Sequence, residues 1–185
     1  MNTQETYRIR PAGRLVLTIG RELIQDCQAA IMELVKNAYD ADSPDVSIEF
    51  SRSDDLQNYS IIISDHGHGM TKDTVVNKWL VPSTADKLER KTSPRGRIMQ
   101  GRKGIGRYAS AILGNELELE TVTPDGIKTV VPLNWEEIEN AEYLDTVGIR
   151  VNTFHTDEQA VRRRNGCAFA LRHAHQTAEA SGDVV

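Results

Sequence analysis

The chain has 185 residues, 39% hydrophobic and 26% charged, with 22 Lys and Arg against 27 Asp and Glu for a formal net charge of −5. That length fits one domain able to bury about two-thirds of its unfolded surface, and the acidic balance excludes a protein whose whole surface binds nucleic acid. No segment approaches the roughly 20 apolar residues of a membrane span, MNTQETYRIR lacks an apolar signal core, and Cys27 and Cys167 read as free thiols, so the expected compartment is the cytoplasm.

After a short extended piece, YRIRPAG, apolar residues recur at three- and four-residue steps from Ile19 through Leu23, Cys27, Ala30, Ile31, Leu34 and Val35 to Ala38. That spacing predicts one helix over Thr18–Tyr39, kinked or straight, ended by Ser43 and Pro44. Glu33, Asn37 and Asp40 share one face of it, and Ile31, Leu34, Val35 and Ala38 share the other. A carboxylate one turn from an amide oxygen suits a divalent metal and an attacking water. The competing reading is the wet side of an amphipathic helix.

Two strands follow, VSIEF at 46–50 and YSIIISD at 59–65, joined by a polar turn. Val46, Ile48 and Phe50 alternate onto one face, while the unbroken run in the second strand is expected at a sheet centre. Asp65 emerges from that run into DHGHGM, where an unpaired carboxylate is costly and needs a partner. Gly67 and Gly69 permit a tight turn and the approach of a flat group, so an acid, a glycine floor and the thioether of Met70 would suit adenine. A plain turn after a strand, capped by aspartate, is the competing account.

Thr71–Val81 reads as a short helix with Thr71 as its cap. Pro82–Gly101 has little periodicity and much charge, as a functional loop would. Between Lys87 and Arg107 lie Lys87, Arg90, Lys91, Arg95, Arg97, Arg102, Lys103 and Arg107, opposed only by Glu89; they read as phosphate-facing, with a DNA-contacting surface as the alternative. Gly101, Gly104 and Gly106 then open a helix, and backbone N–H groups there can bind phosphate. Gly104 to Ala109 also fits the dinucleotide pattern GxGxxA, but no strand precedes it, and no GxxxxGK[ST] loop exists.

The helix restarting near Ile105 is expected to stop at Gly114. Strands are predicted at 116–123, 127–135 and 147–154, with a helical turn in EEIENAEYL between the last two. Arg162–Val185 shows neither period and is expected to be a frayed helix or disordered. The pairs His66 and His68, and His173 and His175, lack a third metal ligand and read as exposed histidines, while Trp79 and Trp135 read as packing residues.

The ordered set E-L-V-x-N-A-Y-D-A, D-x-G-x-G-M and G-x-x-G-I-G-R resembles the GHKL superfamily of ATPases, which includes gyrase, the ninety-kilodalton heat-shock chaperone, MutL, sensor histidine kinases and the MORC proteins. The likeness spans roughly residues 14 to 155 and sits nearest the chaperone and MORC branches. It implies an α+β fold, a two-layer α/β sandwich (the Bergerat fold) with a mixed, mostly antiparallel sheet covered by helices. The implied domain is 1–155, with 156–185 as a poorly structured tail or the start of a further region.

By the same resemblance Glu33 is the general base, Asn37 the magnesium ligand and Asp65 the adenine-reading carboxylate, with Gly67, Gly69 and Met70 lining the base. Asp40 lies near the nucleotide. Residues 82–103 form the lid, from which Thr84, Lys103, Gly104, Ile105 and Gly106 face the ligand. The implied cofactors are ATP and Mg2+, and the implied activity is ATP hydrolysis coupled to lid closure and a homodimer switch acting on DNA or a protein client. Glu33 ahead of Asn37 favours hydrolysis over phosphotransfer, and a non-hydrolytic ATP sensor or a kinase-type ATP domain is the alternative.

Overall fold

The structure is a computed structural model that describes residues 6–24, 26–53, 58–82, 91–101, 106–157 and 166–173. The apolar stripe expected as one helix forms two, α1 (Arg14–Leu23) and α2 (Cys27–Asp40). Between them Ile24 turns extended, and Asp26 caps α2 by accepting the Ala29 N–H at 2.7 Å. A side-chain acceptor at this position satisfies an otherwise orphaned helical N–H, which is why the break falls there.

The far end of α2 falls within one residue of the expected Tyr39, but the stop is made by a local reversal. Helical residues stop at Asp40, before the proline can act, in a reversal closed by Ser43 N–H to Ala38 carbonyl and Asp42 N–H to Tyr39 carbonyl, both 3.1 Å. Asp42 occupies the left-handed position at φ 61°, where glycine is usual. For an L-residue that conformation costs about 1–2 kcal/mol.

Six strands build one sheet in the order β1 (Val46–Arg52), β2 (Tyr59–Asp65), β6 (Gly166–His173), β3 (Glu116–Val122), β4 (Ile127–Asn134) and β5 (Asn152–His155), every pairing antiparallel. The rows Ile48–Ile63–Phe169–Leu119–Val131 and Phe50–Ile61–Leu171–Leu117–Leu133 face the helices. Leu119, Val131 and Leu171 are fully buried there. Ile48 and Phe50 lie in these rows as expected but stay exposed, Phe50 at 67%, because β1 is an edge strand.

The expectation of a poorly structured segment after Arg162 is corrected for Gly166–His173, which is a central strand between β2 and β3. Its inward residues Cys167, Phe169 and Leu171 are buried and alternate with Ala168 and Ala170. Alanine is a strong helix former and a poor strand former, so local propensity hid the period of two that tertiary pairing realises. The sheet therefore draws on residues beyond 155. Of the strand expected at 147–154, only Asn152–His155 pairs, while Val147, Ile149 and Val151 pack against the core outside the ladder.

On the helical side, Thr71 caps a short turn α3 (Lys72–Thr74), as expected, and the chain continues as a π-helical turn through Val75–Trp79. A 3-10 turn (Gly106–Ala109) leads into α4 (Ser110–Leu113) and ends at Gly114. The predicted helical turn is α5 (Trp135–Asn140), capped by Asn134. Trp79 and Trp135 are buried in the core, as their reading required. Among the described residues no helix is long and apolar enough to cross a membrane.

Candidate functional site

A cleft of about 470 Å³ opens between α2, the turn after β2, the Val75–Trp79 turn and the inner ends of β3 and β6. Glu33, Asn37, Asp40, Asp65, Gly69, Met70 and Gly106, all singled out in the sequence, line it together. Residues from three separate segments thus meet at one cleft. A cleft of about 520 Å³ on the outer sheet face, beside Glu118 and Arg150, contains none of them. Thr84, Lys103, Gly104 and Ile105 lie outside the described residues.

Asp65 ends β2 and is 8% exposed. Its Oδ1 accepts the N–H groups of Gly67 at 2.8 Å and Cys167 at 3.2 Å. No described residue hydrogen-bonds Oδ2, which leaves one acceptor at the cleft wall. Burial pushes this carboxyl above its ordinary value, and the two N–H groups and neighbouring histidines only partly offset it.

The turn that follows is held from outside. Thr121 accepts the Met70 N–H at 2.7 Å and donates to the Gly166 carbonyl at 3.2 Å, and the His68 N–H donates to the Ala41 carbonyl at 3.0 Å. Gly69, at φ 67°, lies so close to β3 that a Cβ there would sit 2.2 Å from the Val122 carbonyl oxygen. Only glycine meets both demands.

Across the cleft, Glu33 pairs with Lys36 through Oε1 at 2.7 Å. A Cβ on Gly106 would come within 2.8 Å of Glu33 Oε2, so the last glycine of the GRKGIG segment packs directly on that carboxylate. Asn37 stands one turn further along the same helix and lines the cleft. Magnesium needs few protein ligands when phosphates and water complete its octahedron, and one amide oxygen here fits that demand. Among the described residues no cluster of three His, Cys, Asp or Glu could hold a metal by itself.

Asp40 lies in the cleft wall but is 4% exposed, and its oxygens are engaged by the N–H groups of Gln100 at 2.7 Å and Gly101 at 3.0 Å. Arg107, read from sequence as phosphate-facing, donates to the carbonyls of Lys78 and Trp79, and burial lowers its pKa. Arg97 donates to the carbonyls of Tyr39 and Ser43. His66 pairs with Asp45 and His68 with the Gly69 carbonyl, so the two imidazoles have separate partners.

Thr121, Cys167 and Phe169 were missed as site residues. Cys167 and Phe169 line the cleft directly, and Thr121 braces its turn. Burial, and then the Asp65 charge, push the Cys167 thiol up to about 12, so it is an inert wall and not a nucleophile. The available signal was a polar side chain at an inward position near the end of an otherwise apolar alternation, as in ELELETV.

Comparison with known proteins agrees with this geometry. Residues 25–165 match the family model for histidine kinase-, DNA gyrase B-, and HSP90-like ATPases. The protein called "Putative type II restriction enzyme HgiDII" of Herpetosiphon aurantiacus is 29% identical over 141 residues, which make up 76% of this chain and 22% of that protein. The chain thus spans about a fifth of the length of that relative.

Proposed function

The chain belongs to the family of histidine kinase-, DNA gyrase B- and HSP90-like ATPases, and from that premise we propose that it binds ATP in the 470 Å³ cleft and hydrolyses it with Mg2+. The observation that carries the reading is Asp65. It is a buried carboxylate with Oδ1 committed to two backbone N–H groups and, among the described residues, no donor to Oδ2, set among glycines, Met70 and Phe169. An acceptor so placed selects a flat ring bearing an exocyclic amine, as adenine does.

In this reading the phosphates extend toward α2 and Gly106. Asn37 holds the metal, which neutralises phosphate charge when bound. Glu33 orients a water toward the γ-phosphorus and accepts its proton as the bond to ADP breaks, giving ADP and phosphate. The family likeness alone assigns the loop from Pro82 to Lys103 as a lid and gives ligand contacts to Thr84, Lys103, Gly104 and Ile105, which lie outside the described residues. Closure favours a homodimer. The likeness to a protein named as a restriction enzyme favours DNA over a protein client as the target of the switch. Free Cys27 and Cys167 suit a cytoplasmic setting.

The Glu33–Lys36 pair supports a second reading, a sensor that binds ATP without turnover, since one oxygen of the would-be base is already occupied. Calorimetry and phosphate release decide between them. Asp65→Asn is expected to weaken ATP binding about tenfold to a hundredfold. Glu33→Ala is expected to lower turnover about a hundredfold or more while leaving ATP affinity near wild type. Unchanged affinity in the first variant rejects the site, equal measurable turnover in wild type and the second variant rejects Glu33 as the base, and ATP binding with no turnover in wild type selects the sensor.

A further inference from the structure

Residues 91–101 fold into a small knob, closed by a bridge between Thr92 and Ile98 and by Ser93 N–H to Arg97 carbonyl at 2.8 Å. The knob supplies Met99 and Gly101 to the wall of the cleft. It is fastened at two points, both on aspartates at the end of α2. Asp40 accepts the N–H groups of Gln100 and Gly101, while Asp42 accepts the Ser93 hydroxyl at 2.5 Å and the Arg95 N–H at 3.0 Å. Arg97 adds a third attachment through the carbonyls of Tyr39 and Ser43 and lies 5.0 Å from the centre of the Tyr39 ring.

We propose that Asp40 and Asp42 are a paired clamp: positioning residues that lock the 91–101 knob, and so the Met99–Gly101 wall, onto the helix carrying Glu33 and Asn37. The assignment differs from the nucleotide contact that resemblance implies for Asp40. Its carboxylate is buried and spent on protein N–H groups, as charge-assisted bonds to backbone amides demand when water is excluded. Asp42 makes the argument independently, because it lies outside the cleft lining and occupies a backbone conformation that favours glycine. A glycine there would satisfy the helix end and lose the clamp. The bonds span 51 to 61 residues of sequence, so they couple the helix end to the loop and not to its own neighbours.

The proposal rests on the ATP reading for its functional consequence, and two measurements separate the two. Amide hydrogen exchange in the absence of nucleotide reads the clamp itself. Asp40→Asn is expected to speed exchange at Gln100 and Gly101, and Asp42→Asn at Arg95, each by about tenfold or more. Asparagine tolerates the left-handed conformation at 42, so the second variant changes charge and acceptor strength without backbone penalty. Ser93→Ala, which removes the hydroxyl donor to Asp42 and the acceptor for the Arg97 N–H but leaves both carboxylates in place, serves as the milder variant if either aspartate change unfolds the chain.

Calorimetry then compares adenosine with a non-hydrolysable ATP analogue. Both aspartate variants are expected to keep adenosine affinity within about twofold and to lose about tenfold for the analogue. Exchange rates unchanged in all variants overturn the clamp. So does a loss of adenosine affinity in Asp40→Asn that Asp42→Asn does not share, because that marks Asp40 as a nucleoside ligand. If wild-type protein binds neither compound, exchange still decides the clamp, and the failure belongs to the ATP reading.

Discussion

The two walls of the cleft are held by different chemistry. The Asp65–Met70 wall combines one buried carboxylate, Asp65, which takes the N–H groups of Gly67 and Cys167, with a neutral brace, Thr121 on the Met70 N–H, and a glycine, Gly69, pressed on the Val122 carbonyl. The opposite wall hangs on ionisable side chains, with Asp40 and Asp42 gripping the 91–101 knob and Lys36 gripping Glu33. A wall made by glycine contacts and N–H groups is rigid and intolerant of substitution. One made by carboxylates can yield to charge, pH or ligand. Under the proposed function, the first wall holds the adenine and the second faces the phosphates.

The largest way to break this contrast is Gly69→Ala. The new methyl adds a left-handed strain and a clash with the Val122 carbonyl, and unfolding in urea is expected to show a loss of about 3 kcal/mol or more. A loss under half a kcal/mol would show that the base wall relaxes as readily as the other. Thr121→Val keeps the shape and removes the acceptor for Met70 N–H, and the same assay is expected to show about 1–2 kcal/mol.

The smallest effect sharpens the contrast by sign. Asp65, raised above the ordinary carboxyl value of 3.8 by burial, contributes stability that is full below 3.8 and is lost as pH climbs through the raised value. At Asp42 burial raises the pKa, but the bonds from Ser93 and Arg95 and the charges of Arg97 and Arg95 outweigh it and leave the value lowered. Its contribution is present above 3.8 and is lost as pH falls through the lowered value. Urea titrations over a range of pH are therefore expected to give opposite trends. Asp42→Asn loses on wild type as pH rises from the lowered value toward 3.8, and Asp65→Asn gains on wild type as pH rises above 3.8 through the raised value. Parallel trends would mean that the two walls do not differ electrostatically.

Legibility in the sequence followed the same divide. Ile61 to Asp65 and the two glycines after it declare themselves locally, because a buried run and a tight turn both depend on adjacent residues. The break at Ile24 was missed although Asp26, its cap, was visible, since the apolar spacing continues across it. Gly166–His173 was missed because Ala168 and Ala170 carry no strand preference, and only the partners β2 and β3 turn Cys167, Phe169 and Leu171 into a central strand. Asp40 was expected near the nucleotide, and only the packed fold shows that its oxygens accept from Gln100 and Gly101.

The sequence by itself determined the family and the chemical types at the site: a carboxylate and amide one turn apart, an acid leaving a buried strand, and glycines where backbone must come close. These are properties of short segments, set by side-chain chemistry and helical or strand periodicity. Only the tertiary structure decided which polar group is available to a ligand. A buried carboxylate bonds whatever N–H lies within reach, and reach is set by packing across the fold. Among the described residues Asp65 thus keeps one oxygen without a donor at the cleft wall, while Asp40, three residues beyond Asn37, accepts from Gln100 and Gly101.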